Sequence, residues 1–200
     1  MLVEHQGKRP QVAPTAYVAP NAVVCGDVVV GEACRILFGA VVTAEGGRVE
    51  LGEQVIVMEQ AVVRGREGHP AVLGRHTLVG PHAHVNGAVV EEGVFLATGV
   101  SVFPGARIGV GAEVRINGVV HVNSVLADEA LVPIGWVAVG DPAQILPPGE
   151  HERIWQVQRE LDFVGTVYGV APAAPAEAMA EITRGYAELF GRHRGDRVIG

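Results

Sequence analysis

Residues 73–120 repeat every six positions: LGRHTL, VGPHAH, VNGAV, VEEGVF, LATGVS, VFPGAR, IGVGAE and VRINGV, after which Val120 opens the next unit. An aliphatic residue opens each unit, and a small residue usually stands four places later. Glycine is common in second place, and the third unit is one residue short. We interpret the aliphatic residue as an inward side chain and the small residue as the place where the chain turns.

This pattern resembles that of hexapeptide-repeat proteins, in which three units form one triangular coil. The resemblance implies an all-β solenoid, a left-handed parallel β-helix whose coils stack at about 4.8 Å. A single coil cannot bury its own apolar side, so the array is stabilised only by stacking. The left-handed turn is an exception to the usual right-handed crossover rule.

The six-residue register extends in both directions and predicts three columns of inward aliphatic side chains. The alternative is a Val-rich sandwich of strands with a period of two, but such strands would not hold this register for about 120 residues. We therefore predict the β-helix. The first column contains Val12, Val30, Leu51, Leu73, Val90, Ile108 and Leu126; the second Val18, Ile36, Val57, Val79, Leu96, Val114 and Val132; the third Val24, Val42, Val63, Val85, Val102 and Val120.

Composition and charge exclude several classes of partner. The net charge is -7 and Lys8 is the only lysine, so no basic run is present to follow a nucleic-acid backbone. No apolar run reaches the length of a membrane span, and the N-terminus lacks the layout of a secretory signal. We expect a cytoplasmic protein that binds neither nucleic acid nor membranes.

The repeat pattern predicts a β-helix domain over residues 1–148 and a C-terminal helical extension over 149–200. Residues 1–11 are predicted to be a leader with an irregular strand, and insertions predict loops at 43–50 and 65–72. Apolar spacing predicts helices at about 151–163 and 175–190, and the last ten residues are expected to be mobile. The expected apolar stripes are Ile154, Val157 and Leu161 with Trp155 beside them, and Met179, Ile182, Tyr186 and Leu189.

The third column is where the chain departs from its own rule. Both insertions and the one-residue deletion follow that column, and its second places lack the glycine common in the other two. We predict that these side chains point outward as a stack that forms a site or a subunit interface, the alternative being a solvated face. The stack contains Cys25, Thr43, Arg64, Asn86, Phe103 and His121.

The two cysteines give no disulfide framework. Cys34 falls at an inward small position, so we expect it in the core. Cys25 follows an inward valine and is expected to point outward.

Four segments and the helix after them resemble γ-class carbonic anhydrases. These segments are ILFGAVVTAE, LGEQVIVMEQAVVRG, LVGPHAHVNGAVV and GWVAVGDPAQI. The resemblance covers about residues 10–163. It implies a homotrimer with sites between subunits, where three histidines from two chains hold zinc. A zinc ion with one open position makes its bound water a hydroxide nucleophile at neutral pH.

Laid onto this chain, the three histidine positions of the family fall at Arg64, Pro81 and Asn86, and its acidic positions fall at Glu45 and Glu59. We therefore expect no metal at the family positions, disfavour zinc and predict no other cofactor. The fixed positive charge of Arg64 repels a cation and suits a carboxylate or a phosphate.

Our first functional hypothesis is a trimer without efficient carbonic anhydrase activity, whose cleft between subunits binds an anionic small molecule. Its predicted ligand-binding residues are Arg64, His84, Asn86 and Glu45.

Two alternatives remain open. One is an acyltransferase or thioesterase that uses His121 or His69 as a general base, with Glu59 as a further catalytic candidate. The other is a metal-dependent carbonic anhydrase with relocated ligands at His82 and His84, which we expect to alternate with Asn86 along one strand.

Overall fold

The computed structural model describes residues 1–171 and 174–200. The chain forms a left-handed parallel β-helix of about eight turns, followed by short helices. Three sheets make up the three faces. The first sheet contains β2 (Gln11–Val12), β5 (Val28–Val30), β8 (Val49–Leu51), β11 (Ala71–Leu73), β14 (Val89–Val90), β17 (Arg107–Ile108) and β20 (Val125–Leu126).

The other two faces continue the same order around each coil. The second sheet contains β3 (Tyr17–Val18), β6 (Arg35–Ile36), β9 (Ile56–Val57), β12 (Leu78–Val79), β15 (Phe95–Leu96), β18 (Glu113–Val114) and β21 (Leu131–Val132). The third contains β1 (Leu2–Glu4), β4 (Val23–Cys25), β7 (Val41–Glu45), β10 (Val62–Arg66), β13 (His84–Asn86), β16 (Ser101–Val102), β19 (Val119–Val120), β22 (Val137–Val139), β23 (Gln144–Leu146) and β24 (Arg197–Val198).

The three aliphatic columns are confirmed residue by residue. In the first sheet, for example, Leu73 pairs with Leu51 on one side and with Val90 on the other. From Val24 onward every column residue is buried, and the small residues four places later, such as Ala83 and Ala112, are buried with them. The predicted fold class and its six-residue register are therefore both correct.

Second-place glycines lie where consecutive coils approach most closely. A Cβ on Gly74 would lie 2.6 Å from the carbonyl carbon of Glu91 in the next coil, and one on Gly52 would lie 2.8 Å from the amide nitrogen of Arg75. A side chain would therefore force neighbouring coils apart, which explains why glycine recurs there.

The two insertions are shorter loops than predicted, because the flanking strands extend into them. Arg66 pairs with Glu45 at the ends of β10 and β7, and Arg66 exchanges backbone hydrogen bonds of 2.8 and 2.9 Å with His69. Only tight turns remain outside the sheet. As predicted, both leave from the third face.

The coil stack ends in an antiparallel hairpin of β22 and β23. Helix α1 (His151–Gln158) packs there, with Ile154 against Val139 and Leu146. The predicted helix at 151–163 is wrong in its C-terminal part, since α1 ends at Gln158 and α2 (Phe163–Tyr168) follows after Asp162 caps its first turn. The proposed domain division at residue 148 lies between β23 and α1 and stays a prediction.

Helix α3 (Pro175–Gly191) matches the predicted second helix within one residue. The prediction of a mobile tail is wrong: residues Arg192–Gly195 form a 3₁₀-helix, and β24 pairs antiparallel with β1. The leader supplies that edge, since β1 joins the third sheet beside β4. Among the described residues, no helix combines the length and the hydropathy needed to cross a membrane.

Candidate functional site

The predicted outward stack exists, and we call it the third-face ladder. Four members stand side by side on successive strands, with Thr43 paired to both Cys25 and Arg64, and Arg64 paired to Asn86. Phe103 and His121 directly follow β16 and β19. Neighbouring strands lie about 4.8 Å apart, so adjacent side chains on one face are in reach of each other. The ladder consists of Cys25, Thr43, Arg64, Asn86, Phe103 and His121.

The C-terminal segment of the same chain covers this ladder. The ring of Phe163 lies 5.5 Å from those of both Phe103 and His121, and the ring of Phe190 lies 6.0 Å from the guanidinium carbon of Arg64. Tyr168 and Tyr186 join these two positions through ring contacts of 5.1 to 6.1 Å. Cys25 points outward as predicted, yet the tail buries it. The ladder is thus an internal surface of one chain.

Three ladder residues carry buried polar atoms that lack a partner. Among the described residues, the buried side-chain nitrogen and oxygen atoms without a hydrogen bond are Arg64 Nε, Asn86 Oδ1 and His121 Nδ1. A buried polar group left unpaired costs about 1–3 kcal/mol. Such groups usually indicate a place where water or a ligand completes the hydrogen bonding.

Both histidines on this face are held in the neutral form at neutral pH. Burial, followed by the charges of Arg64 and Arg66, lowers the pKa of His84, which lies on β13 two residues before Asn86. Burial also lowers the pKa of His121, although a hydrogen bond to the backbone of Val122 opposes the shift. A neutral imidazole offers one donor and one acceptor nitrogen.

The predicted ligand-binding residues are only partly brought together. Arg64, Asn86 and His84 adjoin on β10 and β13, but the buried carboxylate of Glu45 is engaged elsewhere. Glu45 accepts a 2.9 Å hydrogen bond from Thr43 Oγ1 and lies 3.1 Å from His193 Nε2.

The remaining candidates lie in turns. His69 is half-buried and lies beside the one-residue deletion. A Cβ on Gly87 would lie 2.8 Å from the Cβ of His69. Glu59 lies in the turn before β10, and its carbonyl accepts the backbone N–H of His82 at 3.0 Å. His82 is exposed with φ 57°, and β13 begins only at His84. The expectation that His82, His84 and Asn86 alternate along one strand is therefore wrong, because His82 still belongs to the turn.

Sequence reasoning missed a second group of polar side chains at the other end of the ladder. His5, Cys25, His193 and Asp196 place one potential ligand atom each within 4.8 Å of one another. Burial and then the charge of Asp196 raise the pKa of the Cys25 thiol to about 11. Residues up to 191 positions apart meet here, so no local spacing in the sequence signals the group.

Comparison with known proteins supports the resemblance seen in the sequence. Over 73 residues the chain is 27% identical to a carbonic anhydrase from Geobacillus kaustophilus. This alignment covers 36% of this chain and 40% of that protein. Over 70 residues it is 36% identical to the mitochondrial γ-carbonic anhydrase-like protein 2 of Arabidopsis thaliana, which covers 35% of this chain and 27% of that protein.

The coil stack and these relatives agree with each other. The chain is similar to γ-carbonic anhydrase-like hexapeptide-repeat proteins.

The fold of this γ-carbonic anhydrase-like protein also occurs in transferases. A hexapeptide transferase family protein from Anaplasma phagocytophilum superimposes with a TM-score of 0.51 at 23% identity, over 94% of this chain and 97% of the other. No protein-family model matches the chain. The alignments to the two curated relatives span 40% and 27% of those proteins, well under half their length.

Proposed function

We propose that this γ-carbonic anhydrase-like protein binds a small oxyanion, a carboxylate or a phosphate, beside Arg64, His84 and Asn86. We further propose that it lacks efficient zinc carbonic anhydrase activity. The observation that carries the proposal is the row of unpaired buried atoms on the third-face ladder, of which Arg64 Nε and Asn86 Oδ1 stand on paired positions of adjacent strands.

The chemistry of this row favours an anion. Arg64 carries a permanent charge and a planar set of N–H donors that matches the oxygens of a carboxylate or phosphate. Arg66 lies on the same strand, and its charge acts on His84 together with that of Arg64. An oxyanion would accept from Arg64 and from the amide of Asn86, whose nitrogen and oxygen exchange places by a flip.

The same side chains do not fit the zinc of the related enzymes. Arginine offers no lone pair in its charged form, proline has no donor atom in its side chain, and an asparagine amide is a weak ligand for zinc beside imidazole or thiolate. Arg64, Pro81 and Asn86 therefore supply none of the three imidazoles that the chemistry requires.

An anion reaches this site only if the C-terminal segment moves away from it. Phe190 lies over Arg64, and the backbone carbonyl of Val167 accepts a hydrogen bond from Arg66. A small anion is therefore favoured over a large one, because it needs only a local shift of these contacts. A homotrimer, as the family resemblance implies, remains part of the proposal and is tested by light scattering of the full chain.

Titration calorimetry of the full chain with inorganic phosphate and with acetate tests the proposal. We expect binding of at least one anion, weakened at least about tenfold in Arg64→Gln because a charge-assisted pair is lost. Arg107→Gln, at an exposed arginine of the first face, is the matched control and should bind as the parent does. Failure of the parent to bind either anion, or equal binding by Arg64→Gln, would reject the proposal.

One observation favours acyl transfer or thioester hydrolysis as a second candidate. The buried, neutral His121 has an unpaired Nδ1, and a neutral imidazole within reach of a hydroxyl or water acts as a general base. Turnover of acetyl-CoA that falls at least about 100-fold in His121→Ala but not in His69→Ala would support it. Absence of turnover in the parent would remove this candidate and leave the anion-binding proposal intact.

A further inference from the structure

Four side chains from three distant parts of the chain converge where the C-terminal tail meets the first coils. His5 follows β1, Cys25 ends β4, and His193 and Asp196 belong to the tail. His5 and Cys25 are each 4% exposed. Asp196 lies at the centre of the group. Its Oδ1 is 2.6 Å from His5 Nδ1, and its Oδ2 is 2.7 Å from His193 Nδ1 and 3.9 Å from Cys25 Sγ.

These distances are close to those of a four-coordinate metal site. Zinc bonds of about 2.0–2.3 Å at tetrahedral angles place ligand atoms about 3.3–3.8 Å apart. The two distances between histidine and aspartate are shorter than this ligand separation by less than about 1.2 Å. The distance between cysteine and aspartate is close to the upper end of the same range. Small side-chain shifts therefore convert the hydrogen-bonded group into a coordination shell.

One histidine of the group, His193, already makes the outer contact that a ligating histidine needs. His193 directs Nδ1 to the group, while its Nε2 lies 3.1 and 3.2 Å from the two carboxylate oxygens of Glu45. The Nε2 of His5 lies 3.0 Å from the side-chain nitrogen of Gln6, and a flip of that amide would present its oxygen as the acceptor that a ligating His5 needs. Such contacts fix the orientation of the ring and strengthen it as a ligand.

The donor set selects the metal. Two imidazoles, one thiolate and one carboxylate are typical ligands of zinc, and together they balance its charge. Four protein donors leave no open position, which is the mark of a structural site and not of a catalytic one. A surface cavity of about 200 Å³ reaches His5 at the edge of the group.

We propose that His5, Cys25, His193 and Asp196 form a structural zinc site that fastens the C-terminal tail over the third-face ladder. The site is distinct from the three family positions, since Cys25 stands two strands before Arg64 on that ladder. It ties residues 5 and 25 to residues 193 and 196, and so holds the segment that covers Arg64 and His121.

Metal analysis of the full chain, stripped with chelator and then dialysed against zinc, is the first test. We expect about one zinc per chain, and cobalt in its place should give tetrahedral spectra with a thiolate charge-transfer band. On addition of zinc, backbone amides of residues 196–200 should exchange at least about tenfold more slowly. Fewer than about 0.1 zinc per chain, or unchanged exchange in the tail, would overturn the proposal without any variant.

Variants then assign the ligands. Cys25→Ser should remove the charge-transfer band, and His193→Ala should weaken zinc binding at least about 100-fold. Glu45→Gln, which keeps all four ligands, should weaken it by about 10–100-fold. The matched controls are Cys34→Ala in the core and His151→Ala at the exposed start of α1, and both should bind as the parent does. Full binding in Cys25→Ser and His193→Ala would place the zinc elsewhere and reject this site.

Discussion

The coil stack and the C-terminal segment of this protein are held in different ways. In the stack, each buried residue repeats the packing of its neighbour one coil away, as Leu51, Leu73 and Val90 do. In the segment after residue 150, the buried side chains are few, and its position depends on individual contacts such as Phe163 against His121. The stack is stabilised by repetition, whereas the segment is stabilised by particular pairs of residues.

This difference determines what a mutation can do. A substitution within the stack disturbs two neighbouring coils, because each inner strand of a sheet pairs on both sides, and the loss spreads through the array. A substitution in the C-terminal segment removes a local contact and leaves the coils intact. The proposed anion site on the ladder depends on the second region, since that segment covers Arg64 and His121.

The largest effect is expected from shortening a column side chain. Leu96→Ala should lower the free energy of unfolding by about 2–5 kcal/mol, because Leu96 is fully buried and the rigid coils cannot close the cavity. The neighbouring Phe95 points outward and is 38% exposed, so Phe95→Ala should cost much less. Denaturant unfolding of both variants measures the difference, and equal losses would contradict the inward register.

A pair of glycine variants should act in opposite directions. Gly74→Ala places a Cβ against the backbone of the next coil and should destabilise the stack by about 1–3 kcal/mol. Gly185→Ala lies in α3 with open space around it and should stabilise that helix by about 0.4–1 kcal/mol. Thermal unfolding followed by circular dichroism tests the pair. Stabilisation by Gly74→Ala would show that the coils have more room than the structure indicates.

The smallest effect is expected from pH, and it differs between the two regions. Burial lowers the pKa of His84 and His121 below the ordinary value, so the unfolded chain binds more protons below about pH 6.5. Stability of the stack should therefore fall on acidification through that range, by at most about 1.4 kcal/mol per pH unit for each histidine.

The tail should respond in the opposite sense. Although burial lowers the pKa of His193, its hydrogen bond to Asp196 and the charge of Glu45 raise it overall. Its contribution is fully present below about pH 6.5 and is lost as the pH rises through the folded pKa. Chelator-treated protein should thus show tail amides best protected at mildly acidic pH, after correction for intrinsic exchange. Equal pH slopes in both regions would contradict these assignments.

The fold was predictable because a column position such as Val63 or Val102 recurs at a fixed distance along the chain. The outward direction of Arg64 and Asn86 followed from the same register. The C-terminal segment that covers these two residues could not be predicted, because Phe163 and Phe190 contact the ladder at positions that follow no period in the sequence. The group around Asp196 was unpredictable for the same reason, and the tail that carries it was wrongly predicted to be mobile.

The third sheet differs from the other two in how it ends. At one margin β23 runs antiparallel to β22, and at the other β24 runs antiparallel to β1, while every pairing between them is parallel. A further copy of the chain that tried to add a coil would meet a strand of the wrong polarity. The two reversed strands thus act against end-to-end polymerisation into fibres. Deletion of residues 196–200 would uncover β1 and leave that margin open to growth.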